Sequence, residues 1–155
     1  MLKINSYIYV YLSLILFGCA DNDEETFTVD DLTLNQIQVI GSHNSYRINA
    51  DTDMLNLIAS FQPQLAHDLD YGHPTFEVQF SQHGIRQIEI DIYHDPEGGL
   101  FYNRRGNLFI GMPVASGIEE LSNPGLKVLH FPDVDYRTHY YTFINALQAV
   151  KDWSD

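Results

Sequence analysis

Glu89 and Asp91 stand two residues apart in Arg86-Gln87-Ile88-Glu89-Ile90-Asp91-Ile92-Tyr93. Side chains alternate along an extended chain, so Ile88, Ile90 and Ile92 share one face while Glu89, Asp91 and Tyr93 share the other. Two carboxylates on an interior face repel each other and lose hydration. A divalent cation answers both costs. Calcium accepts about six to eight oxygens, carboxylates and amide carbonyls together, and Asn44 could supply an amide oxygen. A solvated polar face on an edge strand accounts for the pair without a metal, and the spacing alone leaves both open.

Seven histidines are present. His43 lies among small polar residues directly after a β-branched run, and His130 ends Lys127-Val128-Leu129-His130. Imidazole both takes and gives a proton near neutral pH. A pair of them suits phosphodiester cleavage, in which the attacking hydroxyl loses a proton and the leaving oxygen gains one. Taken singly, each histidine is better explained as a structural residue, and only the combination favours chemistry. His94 lies just past Asp91, where it could touch a substrate. A structural role is the simpler expectation for it and for His73, and His83 has no assigned role.

These groups need elements to hold them. Gln36 to Ile40 alternates and is β-branched, which predicts a strand running into the turn-rich Gly41-Ser42-His43-Asn44-Ser45-Tyr46. A short helix is expected over Leu55–Phe61. A second is expected over Phe76–His83, with Pro74 at its start and Gly84 at its stop. Residues 86–93 read as a continuous strand, and His94-Asp95-Pro96-Glu97-Gly98-Gly99 as the turn leaving it. Residues 100–125 read as a long loop. Lys127–Phe131 reads as a third strand, and Thr138 as the cap of a last helix carrying Phe143, Ile144, Leu147 and Val150. This alternation predicts an α/β fold with a parallel sheet, whose chemistry gathers at the carboxyl ends of strands. His43-Asn44, Glu89-x-Asp91 and His130 all fall at or just after such ends.

A formal net charge of -13 over 155 residues argues against a nucleic-acid partner, which calls for a basic patch. It is compatible with a hard-cation site. Tyr7 to Phe17 is apolar apart from Ser13, of signal-peptide length and short of the ~20 residues of a membrane-spanning helix. It ends Leu16-Phe17-Gly18-Cys19, which resembles a bacterial lipobox. Residues 1–18 are therefore expected to be a lipoprotein signal peptide, Cys19 the lipidated residue, and residues 19–33 an acidic tether. Cys19 is the sole cysteine, so no internal disulfide forms. The expected location is the bacterial cell envelope, with the chain anchored in the membrane by lipid.

Gly41-Ser42-His43-Asn44-Ser45-Tyr46 resembles the first-histidine motif of the phosphatidylinositol-specific phospholipase C superfamily, and Gly84-Ile85-Arg86-Gln87-Ile88-Glu89-Ile90-Asp91 resembles its metal-ligand strand. Leu69-Asp70-Tyr71-Gly72-His73-Pro74, Asp95-Pro96-Glu97-Gly98-Gly99 and His130-Phe131-Pro132-Asp133-Val134-Asp135-Tyr136-Arg137 are similar to its bacterial calcium-dependent branch. The likeness runs from about residue 36 to 155. It implies a (β/α)8 barrel of the TIM type and, at residues 34–155, the N-terminal part of such a phosphodiesterase domain. It implies His43 and His130 as catalytic histidines and Asn44, Glu89 and Asp91 as calcium ligands. The implied reaction releases diacylglycerol and a cyclic inositol phosphate from a phosphoinositide. Arg104 and Arg105 could meet a lipid phosphate, although a solvated pair is the simpler expectation. Such a barrel takes about 250 residues, and the family's last metal-binding carboxylate and its sugar-binding residues lie on later strands. The chain is therefore expected to be a truncated front portion of a longer product. Two alternatives stand: a glycerophosphodiester phosphodiesterase, whose first motif is His-Arg-Gly where this chain has His43-Asn44-Ser45, and a non-catalytic envelope lipoprotein.

Overall fold

The computed structural model describes residues 28–155. Lipidation at Cys19, the signal peptide and most of the tether lie outside the described residues. The chain divides into two compact units at Ile37/Gln38. In the described part of the first, 3-10 turns cover Val29–Asp31 and Leu34–Gln36. Thr33 and Gln36 close a reciprocal capping box over the second turn. Hydrogen bonds from the backbone and side chain of Thr28 hold the Asp31 carboxyl below the usual carboxylate range.

The second unit, Gln38–Asp155, carries the site. Its strands are β1 (Gly41–Ser42), β2 (Gln87–Ile88), β3 (Ile92–Asp95) and β4 (Gly125–Val128). β1 and β2 pair in parallel, Gly41 opposite Gln87 and Ser42 opposite Ile88. β3 and β4 pair antiparallel, Tyr93 opposite Lys127 and Asp95 opposite Gly125. The unit is thus mixed α/β with two small sheets. One of these is antiparallel, against the all-parallel expectation, and no barrel closes among the described residues.

Four helices complete the unit. Helix α1 (Thr52–Phe61) starts at Asp51, whose carboxylate accepts from the amides of Asp53 and Met54. It ends before Pro63, which disfavours helical backbone in the residue preceding it. Pro63 then opens α2 (Pro63–Leu69), a helix the sequence reading left unassigned. Helix α3 (Phe76–Gln82) begins after Thr75, so Pro74 lies outside it rather than at its first turn. Gly84, at φ +66°, follows its C-cap in the left-handed conformation that glycine adopts at no steric cost. Helix α4 (Phe143–Ser154) is capped by Thr142, which accepts from the amide of Asn145. Thr138, the expected cap, is instead buried and donates its hydroxyl to the carbonyls of Tyr46 and Tyr140.

The strands are also shorter than their periodicity suggests. Residues 37–40 pair with no strand. Of them only Ile40 joins the ladder region, its carbonyl accepting from Arg86 N at 2.9 Å. Alternation measures fitness for a pleated surface, but a ladder needs a neighbour. Residues 89–91 interrupt the predicted long strand because Ser45 takes over its hydrogen bonds. Glu89 N donates to Ser45 Oγ at 2.9 Å, and Ser45 N donates to Glu89 O at 3.1 Å. β3 continues through His94 and Asp95 into the expected turn, and His130 lies two residues past β4.

The core is Tyr46, Phe76, Phe80, Val128 and Ala146, with Ile85, Ile88 and Ile90 packed against it. Ile92, predicted on the same face, is exposed because β3 has left the first sheet. Phe76 stacks on Tyr140 at 4.5 Å and Phe80 on Trp153 at 4.7 Å, tying α3 to α4. Phe76→Ala should cost about 3–5 kcal/mol of unfolding free energy by urea titration. An unchanged midpoint would place the core elsewhere.

Burial pushes the Tyr140 and Tyr141 phenols above their ordinary range. The unfolded chain releases these protons near pH 10, whereas the folded state keeps them to higher pH. Their contribution to stability is therefore complete below about pH 10 and lost as pH rises further. Melting temperature should fall between about pH 9 and 11, and fall less in Tyr141→Phe; identical curves would contradict this.

Candidate functional site

The site is built on the turn after β1. Asn44 has φ +50°, a left-handed conformation that asparagine tolerates better than most residues. Glu89 holds the turn, its Oε2 accepting from Asn44 N at 2.7 Å. The next residues, Tyr46 to Ile48, are stitched on both sides: His73 N donates to Arg47 O, His139 N to Tyr46 O, and Ile48 N to Arg137 O. Gly72 allows the first of these approaches, since a Cβ there would lie 2.5 Å from the backbone nitrogen of Asn49.

Three oxygens converge on one point. Asn44 Nδ2 donates to Tyr71 Oη at 2.8 Å, which turns its Oδ1 inward. That position is 3.2 Å from Asp91 Oδ2 and 3.3 Å from Glu89 Oε2. Acceptors do not face acceptors across half-buried space without a compensating charge. Two arrangements relieve the conflict: a cation among the three oxygens, or rotation of the amide so that its nitrogen donates to both carboxylates and its oxygen accepts from Tyr71. Hard oxygen donors at this spacing suit a divalent cation of calcium type. Among the described residues no three His, Cys, Asp or Glu side chains cluster as a metal site; this one combines two carboxylates with an amide. Tyr46, fully buried, donates its hydroxyl to Asp91 Oδ2 at 2.8 Å. Burial, then Asp91 and Glu89, push its phenol far above the ordinary range, so it remains a donor at any physiological pH. Burial and Asp91 raise the Tyr93 phenol as well.

His130 approaches from the other side. Its Nδ1 is 2.7 Å from Asp135 Oδ2, and its backbone carbonyl accepts from Tyr93 Oη at 2.7 Å. Asp135 also pairs with Arg47 at 2.5 Å, both side chains being buried. Arg47 donates to Leu69 O and lies beneath the Tyr71 ring, 4.1 Å from its centroid. One connected network therefore runs His130–Asp135–Arg47–Tyr71–Asn44. The composition of His130-to-Arg137 contained Asp135, but only the fold pairs it with Arg47.

His43 is exposed and its side chain makes no hydrogen bond. It lines an open cleft of about 410 Å³ with Tyr71, His73 and Gln79. No hydrogen bond joins it to His130. The structure thus brings Asn44, Glu89 and Asp91 together and leaves the two histidines on separate elements. His73 Nε2 lies 2.9 Å from His43 O, and His139 Nε2 lies 2.8 Å from His73 O, which agrees with a structural place for His73. His94 is exposed. Arg104 departs from the solvated expectation: it is buried flat on the Tyr136 ring, 3.4 Å from its centroid, because the loop folds over it. Burial lowers its pKa. Arg105 is exposed.

The sequence model of calcium-dependent phosphoinositide phospholipase C matches residues 32–155. The chain belongs to this family. Comparison with curated proteins and with solved structures gives no match. Calcium is the family's metal, and the donors that converge at Asn44, Glu89 and Asp91 fit it. In this phospholipase C family member, millimolar calcium should raise the melting temperature. At about 100 times Kd the added stability is about 2.7 kcal/mol. Asp91→Asn should abolish the gain, and an equal gain in that variant would remove Asp91 from the metal.

Proposed function

We propose that this chain acts as a calcium-dependent phosphodiesterase on phosphatidylinositol-type lipids. Asn44, Glu89 and Asp91 hold the ion. The inositol 2-hydroxyl attacks phosphorus, the bond to the diacylglycerol oxygen breaks, and diacylglycerol and a cyclic inositol phosphate leave. The observation that carries this reading is the meeting of two carboxylate oxygens and the Asn44 side-chain amide at the end of the parallel β1–β2 pair. That position also supports a barrel-type frame, in which strand ends carry the chemistry.

When bound, calcium would supply charge that polarises the phosphoryl group and lowers the pKa of the attacking hydroxyl. His43 and His130 transfer the two protons: one accepts from the 2-hydroxyl, the other donates to the leaving oxygen. His130 is held by Asp135, whereas the His43 ring is unrestrained and meets the substrate from the open cleft. The same reading attaches the chain to the bacterial envelope through a lipidated Cys19, supported by the Leu16-Phe17-Gly18-Cys19 pattern.

The test is turnover of phosphatidylinositol vesicles with calcium and with a chelator. His43→Ala and His130→Ala should each lower kcat by about 10²–10⁴-fold with unchanged circular dichroism, and cyclic inositol phosphate should be the first product. A glycerophosphodiester phosphodiesterase would release no cyclic product. Activity that survives both substitutions would sink the site assignment, and no turnover by the wild-type chain would favour a non-catalytic lipoprotein.

A further inference from the structure

Arg47 and Asp135 are among the most completely buried charged side chains of the unit, 0% and 2% exposed. Burying such a pair is repaid only when nearly every donor and acceptor is satisfied, and well-packed apolar residues often serve stability equally well. Here Arg47 Nε, Arg47 Nη1 and Asp135 Oδ1 are buried without partners. Stability alone therefore gives little reason for the pair. Its satisfied atoms point to something else. Asp135 Oδ2 receives both Arg47 Nη2 at 2.5 Å and His130 Nδ1 at 2.7 Å. An ionised carboxylate only accepts hydrogen bonds, so the His130 proton sits on Nδ1 whether the ring is neutral or cationic. Nε2 is left as the atom that can exchange a proton with a substrate.

We infer that Asp135 and Arg47 are positioning residues: Asp135 fixes the tautomer and ring plane of His130, and Arg47 fixes Asp135 while bracing Tyr71 against the Asn44 amide. The inference rests on the proposed catalytic role of His130. Its geometry joins the two halves of the site through one guanidinium. Arg47 Nη2 makes both hydrogen bonds, to Asp135 Oδ2 and Leu69 O, while the guanidinium lies under the Tyr71 ring, a planar contact that a lysine ammonium does not reproduce. The Tyr71 hydroxyl, whose ring rests on that guanidinium, meets the Asn44 amide at 2.8 Å and holds it beside Glu89 and Asp91.

Two measurements test it. The first needs no turnover: ¹⁵N NMR of the histidine-labelled chain at a pH where His130 is neutral. The expected spectrum has His130 protonated at Nδ1, and that signature is lost in Asp135→Asn. A wild-type ring protonated at Nε2 would overturn the inference. The second is kinetics on phosphatidylinositol vesicles with calcium. Asp135→Asn should lose about 10²–10⁴-fold in kcat with KM within about twofold. The double variant with His130→Ala should be no slower than His130→Ala alone, as for groups acting as a unit. Full kcat in Asp135→Asn beside an inactive His130→Ala would overturn the positioning role alone. Full turnover in His130→Ala would overturn the catalytic reading beneath it, and the inference with it. Arg47→Lys, which keeps the charge without the fork, should lower kcat and raise the calcium concentration for half-activity; a variant unchanged in both would remove Arg47 from the network.

Discussion

A single buried guanidinium holds three segments of this protein in register. Arg47 lies one residue past the core tyrosine Tyr46, donates to the end of α2 at Leu69, carries the Tyr71 ring and pairs with Asp135. Removing one partner of such a pair leaves a bare charge in the interior and costs about 3–5 kcal/mol. The segments after β1, after α2 and after β4 are irregular, and backbone hydrogen bonds from His73 N to Arg47 O, His139 N to Tyr46 O and Ile48 N to Arg137 O join them as well. Their relative placement, and with it the distance between the proposed metal ligands and His130, rests on Arg47 together with these bonds.

The electrostatics of the site follow from where the charges lie. Burial first, then Asp91, Glu89 and Asp135, raise the pKa of the Tyr46 hydroxyl. An acidic site in a chain of net charge -13 would repel a phosphodiester. A bound cation inverts that field, as metal ions do wherever they are the largest local charge. Calcium dependence is thus built into the ligand set: without the ion, the site opposes its own substrate. The left-handed Asn44 serves the same end, since its backbone amide satisfies Glu89 while its side-chain amide faces both carboxylates.

Much of this was legible in the sequence, for reasons that differ by element. The Glu89-x-Asp91 spacing implied a shared face because extended chains alternate regardless of how they pair. Helices α1, α3 and α4 announced themselves through periodicity and stop signals, although their caps shifted: Thr142 rather than Thr138, and Thr75 rather than Pro74. Ladder partners were not legible. Gln36 to Ile40 has the composition of a strand but finds one hydrogen bond to the ladder region, from Arg86 N to Ile40 O, and Glu89 gives its backbone N–H and C=O to Ser45. Local pattern records what a strand prefers, not which neighbour it meets. Arg104 was misjudged for the same reason, since nothing near it in sequence shows that Tyr136 will cover it. The Arg47–Asp135 pair lies 88 positions apart along the chain, beyond the reach of any local signal.

The calcium site proposed at Asn44, Glu89 and Asp91 is where the whole mechanism begins. The most direct measurement is an anomalous-difference map from crystals grown with calcium. The expected result is a peak within about 2.3–2.6 Å of Asn44 Oδ1 and of an oxygen from each carboxylate, with the Asn44 amide nitrogen on Tyr71. A map with no peak there, and an amide turned so that its nitrogen bonds both carboxylates, would contradict it.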